Sequence, residues 1–489
     1  MSNRGRRICI IGLDGVNSLV AEVMGLKYPI TADLVSTVPP YTPPAWTSML
    51  TGVNPGMHGI YGFFSIKDNN VALNTSWNVR FPRLFEMCAM YGVKSVVVNV
   101  PLSYPFDALV LRDRYIVVTD WASPKQAIWP PKLNARFREY LGNPPHKEKQ
   151  HSNIHEYISR IREYLSTRVN LYFELLERDD WSLYFIVFSE TDWLLHKLPE
   201  LLERRNVNLV QPIFNFIKKF IQEASELCEL VLIVSDHGFE IKRWRININA
   251  ILCNRGLLKY SYAFSLKTHT RKFISSKDRQ KGTPLLLRVL SNAMITLPTK
   301  LLGRYLPLLV REFRNKVPIV SALDIGSSLA FMIEAPTWGV YVNRTDYVKF
   351  VKRILRKTPG IETVLSPGEV FAGPYVKYAP QVVVIPKRYV YLGDDPYGNV
   401  VECVYQSEHN MHGIFMATGD EIDNHTSIKT LKVYDIAPTV LYYLGLPLQK
   451  QCDGTPLKGL FTFSEQIMRR HDYLLKFKTL RTREELSKF

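Results

Sequence analysis

Cysteine is scarce in this sequence, and the spacing of its few cysteines argues against a secreted, disulfide-linked protein. Six cysteines occur among 489 residues, and no two of them form a CxxC pair. In a chain of this length, scattered cysteines are typical of reduced, mostly buried thiols, which are common in intracellular proteins. We therefore expect a cytoplasmic location.

Long apolar runs are also absent, and this excludes several architectures. No stretch of 18 or more apolar residues occurs, so we expect no transmembrane helix. The N-terminal MSNRGRR is not followed by a signal segment, because the apolar ICIIGL is too short and leads directly into an acid. Low-complexity tracts and solenoid repeats are missing too. Of the residues, 46% are hydrophobic, which suffices for a large core.

Acidic residues are few in one segment, and this segment accounts for most of the positive charge. Residues 255–316 contain 14 Lys and Arg but two acids, so they contribute +12 of the net charge of +17. The segment can be a cap whose charges are solvated, a cap that guides an anionic substrate, or a peripheral binding surface for an anionic membrane. Nucleic-acid binding is less favoured, because no motif for it accompanies the charge.

Four short apolar runs indicate an α/β fold with a parallel sheet. They are RICIIGLDG (7–15), VKSVVVNVP (93–101), LYFIVFSETD (183–192) and LVLIVSDHG (230–238). Helix-length segments separate them, which is typical of parallel strands joined by crossover helices. Beyond the basic segment, TWGVYVN and APQVVVIP indicate further strands of the same sheet. Because ligands bind beyond the carboxyl ends of such strands, we expect functional residues where the runs end.

Acidic residues stand at the ends of three of these runs, at Asp14, Asp192 and Asp236. A single Asp there is common in turns and at helix N-caps. Three converging carboxylates, however, would repel one another unless cations neutralised them. His196 lies four residues after Asp192, so both can face one way on a helical turn. With His237 beside Asp236, the mixture of oxygen and imidazole ligands favours zinc or manganese over calcium.

The stretch YTPPAWTSMLTGVNPGMHG (41–59) provides a candidate nucleophile. Thr42 precedes Pro43, and proline is favoured at the first helical position. Thr42 is therefore predicted at a helix N-terminus, where the helix dipole favours negative charge. Two interpretations stay open: Thr42 is simply an N-cap, or its hydroxyl lies beside metal-binding carboxylates and attacks the substrate.

Taken in order, LDG, TPPAWTSMLTGVNPGMHGI, SETDWLLH, SDHG and a late histidine resemble the alkaline phosphatase superfamily. Within it, the chain is most similar to the type I phosphodiesterase/nucleotide pyrophosphatase group, with its archaeal and bacterial phosphohydrolase/phosphomutase relatives. The resemblance implies an α/β fold with a central, mostly parallel sheet flanked by helices. Residues 1–253 and 319–450 would form a discontinuous catalytic core, 254–318 a basic cap insertion, and 451–489 a C-terminal helical tail.

The resemblance also implies a site with two divalent metal ions, zinc first and manganese as the alternative. The residues that would hold them are Asp14, Thr42, Asp236 and His237 for one ion, and Asp192, His196 and His409 for the other. The last ligand lies in SEHNMHGIFMATG, where His412 is the alternative. Thr42 would attack phosphorus, and water would then hydrolyse the phosphothreonine. Family members with nucleotide pyrophosphatase activity carry Asn three residues after the nucleophile, whereas this chain has Ala45.

We therefore expect a metal-dependent phosphohydrolase, and a phosphodiesterase rather than a monoesterase. Its substrate would be a phosphorylated small molecule or a lipid headgroup. Two alternatives stay open at this stage. One is a phosphotransferase or phosphomutase of the same superfamily, because the pocket rather than the metal site selects the acceptor. The other is a non-catalytic protein that binds an anionic membrane or polyanion through the basic segment.

Overall fold

The fold comes from a computed structural model, which describes most of the sequence. The described residues are 6–67, 69–142, 144–145, 153–259, 323–396, 398–463 and 468–486. Most of the predicted basic insert, 254–318, lies outside these ranges.

The largest element is a nine-stranded sheet. Its strands are β1 (Ile8–Leu13), β2 (Ile30–Val35), β5 (Ser95–Val98), β6 (Tyr115–Val118), β7 (Ile128–Trp129), β8 (Leu183–Phe188), β9 (Leu230–Val234), β17 (His412–Gly419) and β18 (Thr430–Lys432). They are ordered β18-β2-β17-β9-β1-β8-β5-β6-β7, and the central pairs around β1 are parallel. Only β17 and β7 pair in the antiparallel sense. The predicted mostly parallel sheet is confirmed.

Helices lie on both faces of this sheet, and others occur elsewhere in the described chain. They are α1 (Ser18–Met24), α2 (Thr42–Thr51), α3 (Pro55–His58), α4 (Leu84–Ala89), α5 (Lys132–Arg136), α6 (Ile154–Glu177), α7 (Glu190–Lys197), α8 (Val207–Leu227), α9 (Ile248–Asn254), α10 (Val348–Arg356), α11 (Pro367–Val370), α12 (Ile436–Tyr443) and α13 (Tyr473–Leu486). Of the helices that the structure describes, none has both the length and the apolarity that a bilayer crossing requires.

Both faces of the sheet are buried, which explains why its strands are apolar throughout. In β1, Ile8 and Ile10 belong to the core on one face, whereas Cys9, Ile11 and Leu13 belong to the core on the other. Successive side chains of a strand point to opposite faces, so a continuous apolar run is needed when helices cover both. The C-terminal helix α13 takes part in the first of these cores.

The remaining strands form smaller sheets. They are β3 (Phe64–Lys67) with β4 (Asn70–Leu73), β10 (Gly238–Asn247) with β15 (Val390–Gly393) and β16 (Val401–Asn410), β11 (Ala330–Phe331), β12 (Gly339–Val342), β13 (Ile361–Leu365) and β14 (Val382–Pro386) in one sheet, and β19 (Leu448–Gln449) with β20 (Arg470–His471). The strands in TWGVYVN and APQVVVIP, β12 and β14, pair with each other in the four-stranded sheet. The expectation that they return to the main sheet is wrong, because they bury their side chains in a separate core.

Candidate active site

Three buried carboxylates meet at the carboxyl end of the main sheet. Asp14 directly follows β1 and Asp236 lies two residues after β9, and both side chains are fully buried. Asp192 differs from the sequence prediction, because it lies in the first turn of α7 and not at the end of β8. The short turn between β8 and α7 nevertheless brings Asp192 to the edge where β1 and β9 end.

Three imidazoles complete the cluster. His196 lies one helical turn after Asp192, with its Nε2 at 3.6 Å from Asp192 Oδ1. His409 comes from β16, and its Nε2 is 3.4 Å from the same oxygen. The rings of His237 and His409 stack with centroids 3.8 Å apart. Since β17 runs antiparallel to β9, the chain before β17, including His409, lies at this same edge of the sheet.

The orientation of two of these rings turns the Nε2 atom toward the cluster. Nδ1 of His237 lies 3.3 Å from the Gly238 carbonyl oxygen, and Nδ1 of His409 lies 3.1 Å from that of Pro40. Each Nδ1 donates to a backbone carbonyl, and Nε2 of each ring faces the cluster. Burial lowers the pKa of His237 well below its usual range, and the neighbouring His409 lowers it further. His237 is therefore a neutral ligand donor.

The hydroxyl of Thr42 faces the cluster, with Oγ1 at 3.3 Å from His237 Nε2. Helix α2 begins at Thr42, and Tyr41 is its N-cap, so the predicted helix starts one residue earlier than Pro43 suggested. The backbone around it offers few donors to a substrate oxygen. Pro43 and Pro44 lack an amide hydrogen, and the amide of Ala45 donates to the Tyr41 carbonyl oxygen over 3.0 Å.

Several carboxylate oxygens in this cluster are buried without a hydrogen-bond donor among the described residues. They are both oxygens of Asp14, Oδ1 of Asp192 and Oδ2 of Asp236. Burial raises the pKa of Asp14 and Asp236 well above their usual range, and repulsion from neighbouring carboxylates adds to this. Burial acts in the same direction on Asp192, but His196 and His409 hold its pKa at about 2. Buried anionic oxygens of this kind are stabilised by a cation.

The positions of these donors fit metal ions. Two groups bring their ligand atoms within 4.8 Å of one another, namely Asp192, His196 and His409, and Asp14, Asp192 and His237. The first group is the set expected from the sequence. The second includes Asp192 in place of Asp236, whose Oδ2 is instead 3.3 Å from His237 Nε2. Asp192 thus lies between the two groups. Carboxylate oxygen with imidazole nitrogen is a donor set that suits zinc or manganese.

The two histidines of SEHNMHG occupy different environments. His409 is 8% exposed and belongs to the cluster. His412 is exposed, and its Nδ1 pairs with Asp33 Oδ2 over 2.7 Å, away from the three carboxylates. Strand β16 ends at Asn410, between these two residues, so their side chains lie in different environments.

Sequence reasoning missed two residues that support the start of helix α2. The Tyr41 hydroxyl donates to Glu334 Oε1 over 2.9 Å, and the Phe64 amide donates to Glu334 Oε2 over 3.0 Å. Burial raises the pKa of Glu334 to about 7. Tyr41 could have been suspected, since it directly precedes Thr42. Glu334 could not, because it lies 293 residues further along the chain, in the connection between β11 and β12.

Comparison with known proteins agrees with this fold. The family model for type I phosphodiesterase/nucleotide pyrophosphatase matches residues 26–284, more than half of the chain. Murine ectonucleotide pyrophosphatase/phosphodiesterase 5 has a similar structure, with a TM-score of 0.56 and 12% sequence identity, over 94% of this chain and 100% of that chain. Its human counterpart gives a TM-score of 0.52 and 12% identity over the same shares.

A bacterial enzyme has the same fold. Phosphonoacetate hydrolase from Sinorhizobium meliloti 1021 gives a TM-score of 0.52 and 13% identity, over 89% of this chain and 94% of that chain. At these identities the structural likeness concerns the fold alone. A search of curated proteins gave no significant match. The family match over more than half of the chain decides the assignment: the chain belongs to the type I phosphodiesterase/nucleotide pyrophosphatase family, in the alkaline phosphatase superfamily, and is a phosphoric ester hydrolase.

Proposed function

We propose that the protein is a metal-dependent phosphodiesterase in which Thr42 is the nucleophile. The observation that carries this proposal is the placement of the Thr42 hydroxyl, 3.3 Å from His237 Nε2, beside three buried carboxylates with unsatisfied oxygens. A hydroxyl in a buried, metal-binding cluster at a helix N-terminus fits nucleophilic attack on phosphorus.

The residues proposed to hold two divalent ions are those expected from the sequence. Asp192, His196 and His409 would hold one ion, and Asp14, Thr42, Asp236 and His237 the other. We propose zinc, with manganese as the alternative, because histidine nitrogen forms part of both sets. When bound, such ions neutralise the phosphoryl group and stabilise the attacking and leaving oxygens.

The chain itself supplies the nucleophile and its position. Thr42 Oγ1 forms a bond to phosphorus while the bond from phosphorus to the leaving oxygen breaks, and the hydroxyl proton ends on the departing alcohol. Water then cleaves the phosphothreonine and restores the hydroxyl. The helix dipole of α2 favours the negative charge that develops at its N-terminus. Because the amides after Thr42 are absent or already used, α2 does not form an oxyanion hole there.

We propose a phosphorylated small molecule or a lipid headgroup as the substrate. An inactive threonine-to-alanine variant of the murine phosphodiesterase 5 has been solved in complex with AMP. This shows that a protein of similar fold is inactive without one threonine and binds AMP, and it supports testing Thr42 and nucleotide substrates here. Ala45, which takes the place of the family asparagine, favours testing several diesters over assuming a nucleotide.

The test is hydrolysis of bis-(p-nitrophenyl) phosphate and of p-nitrophenyl phosphate, with zinc or manganese and with a chelator. We expect metal-dependent turnover of the diester in the wild type and none in Thr42→Ala. Thr51→Ala is the matched control, since Thr51 is buried at the other end of the same helix. Thr42→Ser should keep turnover and accumulate phosphoserine. Full activity in Thr42→Ala would rule out the proposed nucleophile.

We further propose that the basic segment 255–316 guides anionic substrates to this site and that the enzyme works in the cytoplasm. The charge of the segment is the basis for the first point, and the scattered cysteines are the basis for the second. Deleting residues 260–315 should leave metal binding intact and change substrate preference. Loss of metal from a folded deletion variant would contradict this role, and recovery of the enzyme outside the cytoplasm would contradict the location.

A further inference from the structure

Exposed aromatic side chains gather on the three-stranded sheet of β10, β15 and β16. Nine large hydrophobic residues are strongly exposed in the described chain, and four of them belong to this sheet or its immediate flank. They are Trp244 (49% exposed), Tyr389 (44%), Val401 (46%) and Tyr405 (42%). Scattered single exposures are ordinary on a protein surface, whereas a cluster of rings indicates a binding surface. We name this cluster the aromatic face.

Pairing of β10 with β16 and β15 brings the backbones of the aromatic face close together. Trp244 of β10 is paired with Cys403 of β16, which is also exposed and stands between Val401 and Tyr405 on the same side of its strand. A bulge in β10 lets the backbone amides of Arg243 and Trp244 both donate to the Tyr389 carbonyl oxygen. Trp244, Cys403 and Tyr405 therefore lie on one side of two paired strands, and the bulge brings the Tyr389 backbone beside Trp244.

Arginines surround these rings. The guanidinium of Arg243 lies 5.2 Å from the Tyr405 ring centroid, and that of Arg388 lies 4.7 Å from the Tyr389 ring centroid. Arg205 donates to the Tyr405 hydroxyl over 3.4 Å, and exposed Lys387 precedes Arg388. Of the acids near these groups, Glu203 pairs with Arg205, and the partly buried Glu240 pairs with Lys242 and Arg388. The exposed charge around the rings is thus predominantly positive.

We propose that the aromatic face is a docking surface for an anionic membrane. Tryptophan and tyrosine are favoured at the membrane–water interface, because their rings are apolar and their N–H and O–H groups stay hydrated. Arginine beside them attracts anionic headgroups. The rings and cations of the aromatic face match both requirements. This surface consists only of described residues, and none of them belongs to the basic segment 255–316.

A second copy of the chain fits this surface less well. Large side chains bury about 150–250 Å² each, so four that are 42–49% exposed offer roughly 400 Å² in total. A stable protein interface takes about 800 Å² from each partner. Facing copies would also bring the arginine-rich rims together, and like charges repel. Shallow insertion of a few rings supported by cations is, in contrast, a recognised mode of membrane binding.

Docking through this face would fix the position of the active site relative to the bilayer. Strand β10 begins directly after His237 and reaches Trp244 seven residues later, and β16 reaches His409 four residues after Tyr405. At about 3.3 Å per residue, Trp244 lies roughly 20 Å along β10 from His237. The rigid strands that carry two of the site histidines therefore also carry the aromatic face.

The test is co-flotation of the full-length protein with vesicles of phosphatidylcholine alone or with 30% phosphatidylserine. We expect binding to the anionic vesicles, and weaker binding at high salt. Trp244→Ser with Tyr405→Ser should lose most of it, and neutralising Arg243 or Arg388 to Gln should weaken it about fivefold for each charge removed. The matched controls are Tyr378→Ser and Lys377→Gln, an exposed tyrosine–lysine pair with 5.1 Å between Nζ and the ring centroid.

Each outcome decides the proposal. If the variants of the aromatic face bind vesicles like wild type, the proposal is overturned and membrane binding belongs to another part of the chain. Wild type that ignores anionic vesicles, or binds neutral ones equally, would also overturn it. The proposal is also overturned if the variants of the aromatic face change only the molecular mass of the protein in solution, since a second copy would then be the occupant. An unchanged urea-unfolding transition confirms that every variant is folded, so the test does not depend on the proposed catalytic mechanism.

Discussion

Replacing Tyr41 by phenylalanine should weaken both the stability and the activity of this enzyme. The Tyr41 hydroxyl donates to Glu334 Oε1 over 2.9 Å, and Glu334 is 7% exposed. Phenylalanine fills the same space but leaves this oxygen buried without that donor. Leaving a buried polar group unsatisfied costs about 1–3 kcal/mol. We expect the free energy of unfolding, measured with urea, to fall by about that amount.

Activity should fall as well, because Tyr41 is the N-cap of the helix that begins at Thr42. A displacement of the nucleophile by about 1 Å can cost roughly a hundredfold in rate. We expect kcat for the diester to fall by about ten- to a hundredfold while KM changes little, since Tyr41 positions Thr42 and is not proposed to bind substrate. Initial rates at several substrate concentrations separate the two constants.

Tyr184→Phe is the matched control for this prediction. The Tyr184 hydroxyl also donates in a buried setting, to the Tyr172 carbonyl oxygen over 3.0 Å, but in the core on one face of the sheet. It should lose stability and keep kcat. The reasoning is refuted if Tyr41→Phe stays within about 0.5 kcal/mol of wild type, or if both variants lose kcat equally.

Three further changes test other parts of the structure. Burial raises the pKa of Glu334 from 4.5 to about 7, so the wild type loses stability as pH rises through this window. Between pH 4.5 and 8, the stability of Glu334→Gln should therefore rise by up to about 3 kcal/mol relative to wild type. A stability difference in urea unfolding that does not change with pH would contradict this. His409→Ala should lower metal affinity in a titration by more than about a hundredfold and His412→Ala should not, and equal effects would exclude His409 as a ligand. Gly12→Ala should cost about 1–3 kcal/mol in thermal or urea unfolding, because a Cβ there would lie 2.4 Å from the Trp46 ring; wild-type stability would show that Trp46 can move.

The sequence by itself was sufficient for β1, β5, β8 and β9, the central parallel strands of the main sheet, and it named candidate site residues that the structure brings together. Runs such as LVLIV are apolar at every position because both faces of the sheet are buried, and this pattern is local. An acid directly after such a run, as at Asp14, lies just beyond the carboxyl end of its strand, which is where parallel sheets bind ligands. The sequence also predicted that Asp192 and His196 lie on one helical turn, although it did not predict where that helix begins.

Only the tertiary structure decided which distant residues meet. The sequence offers His409 and His412 three positions apart, and the end of β16 places one in the cluster and the other beside Asp33. Glu334 reaches Tyr41 from the connection between β11 and β12. The aromatic face forms because β10 and β16 pair in a particular register around a bulge. Local pattern encodes whether a segment is helix or strand and which side is apolar. Long-range pairing depends on the packing of whole elements, so no single stretch of sequence contains it.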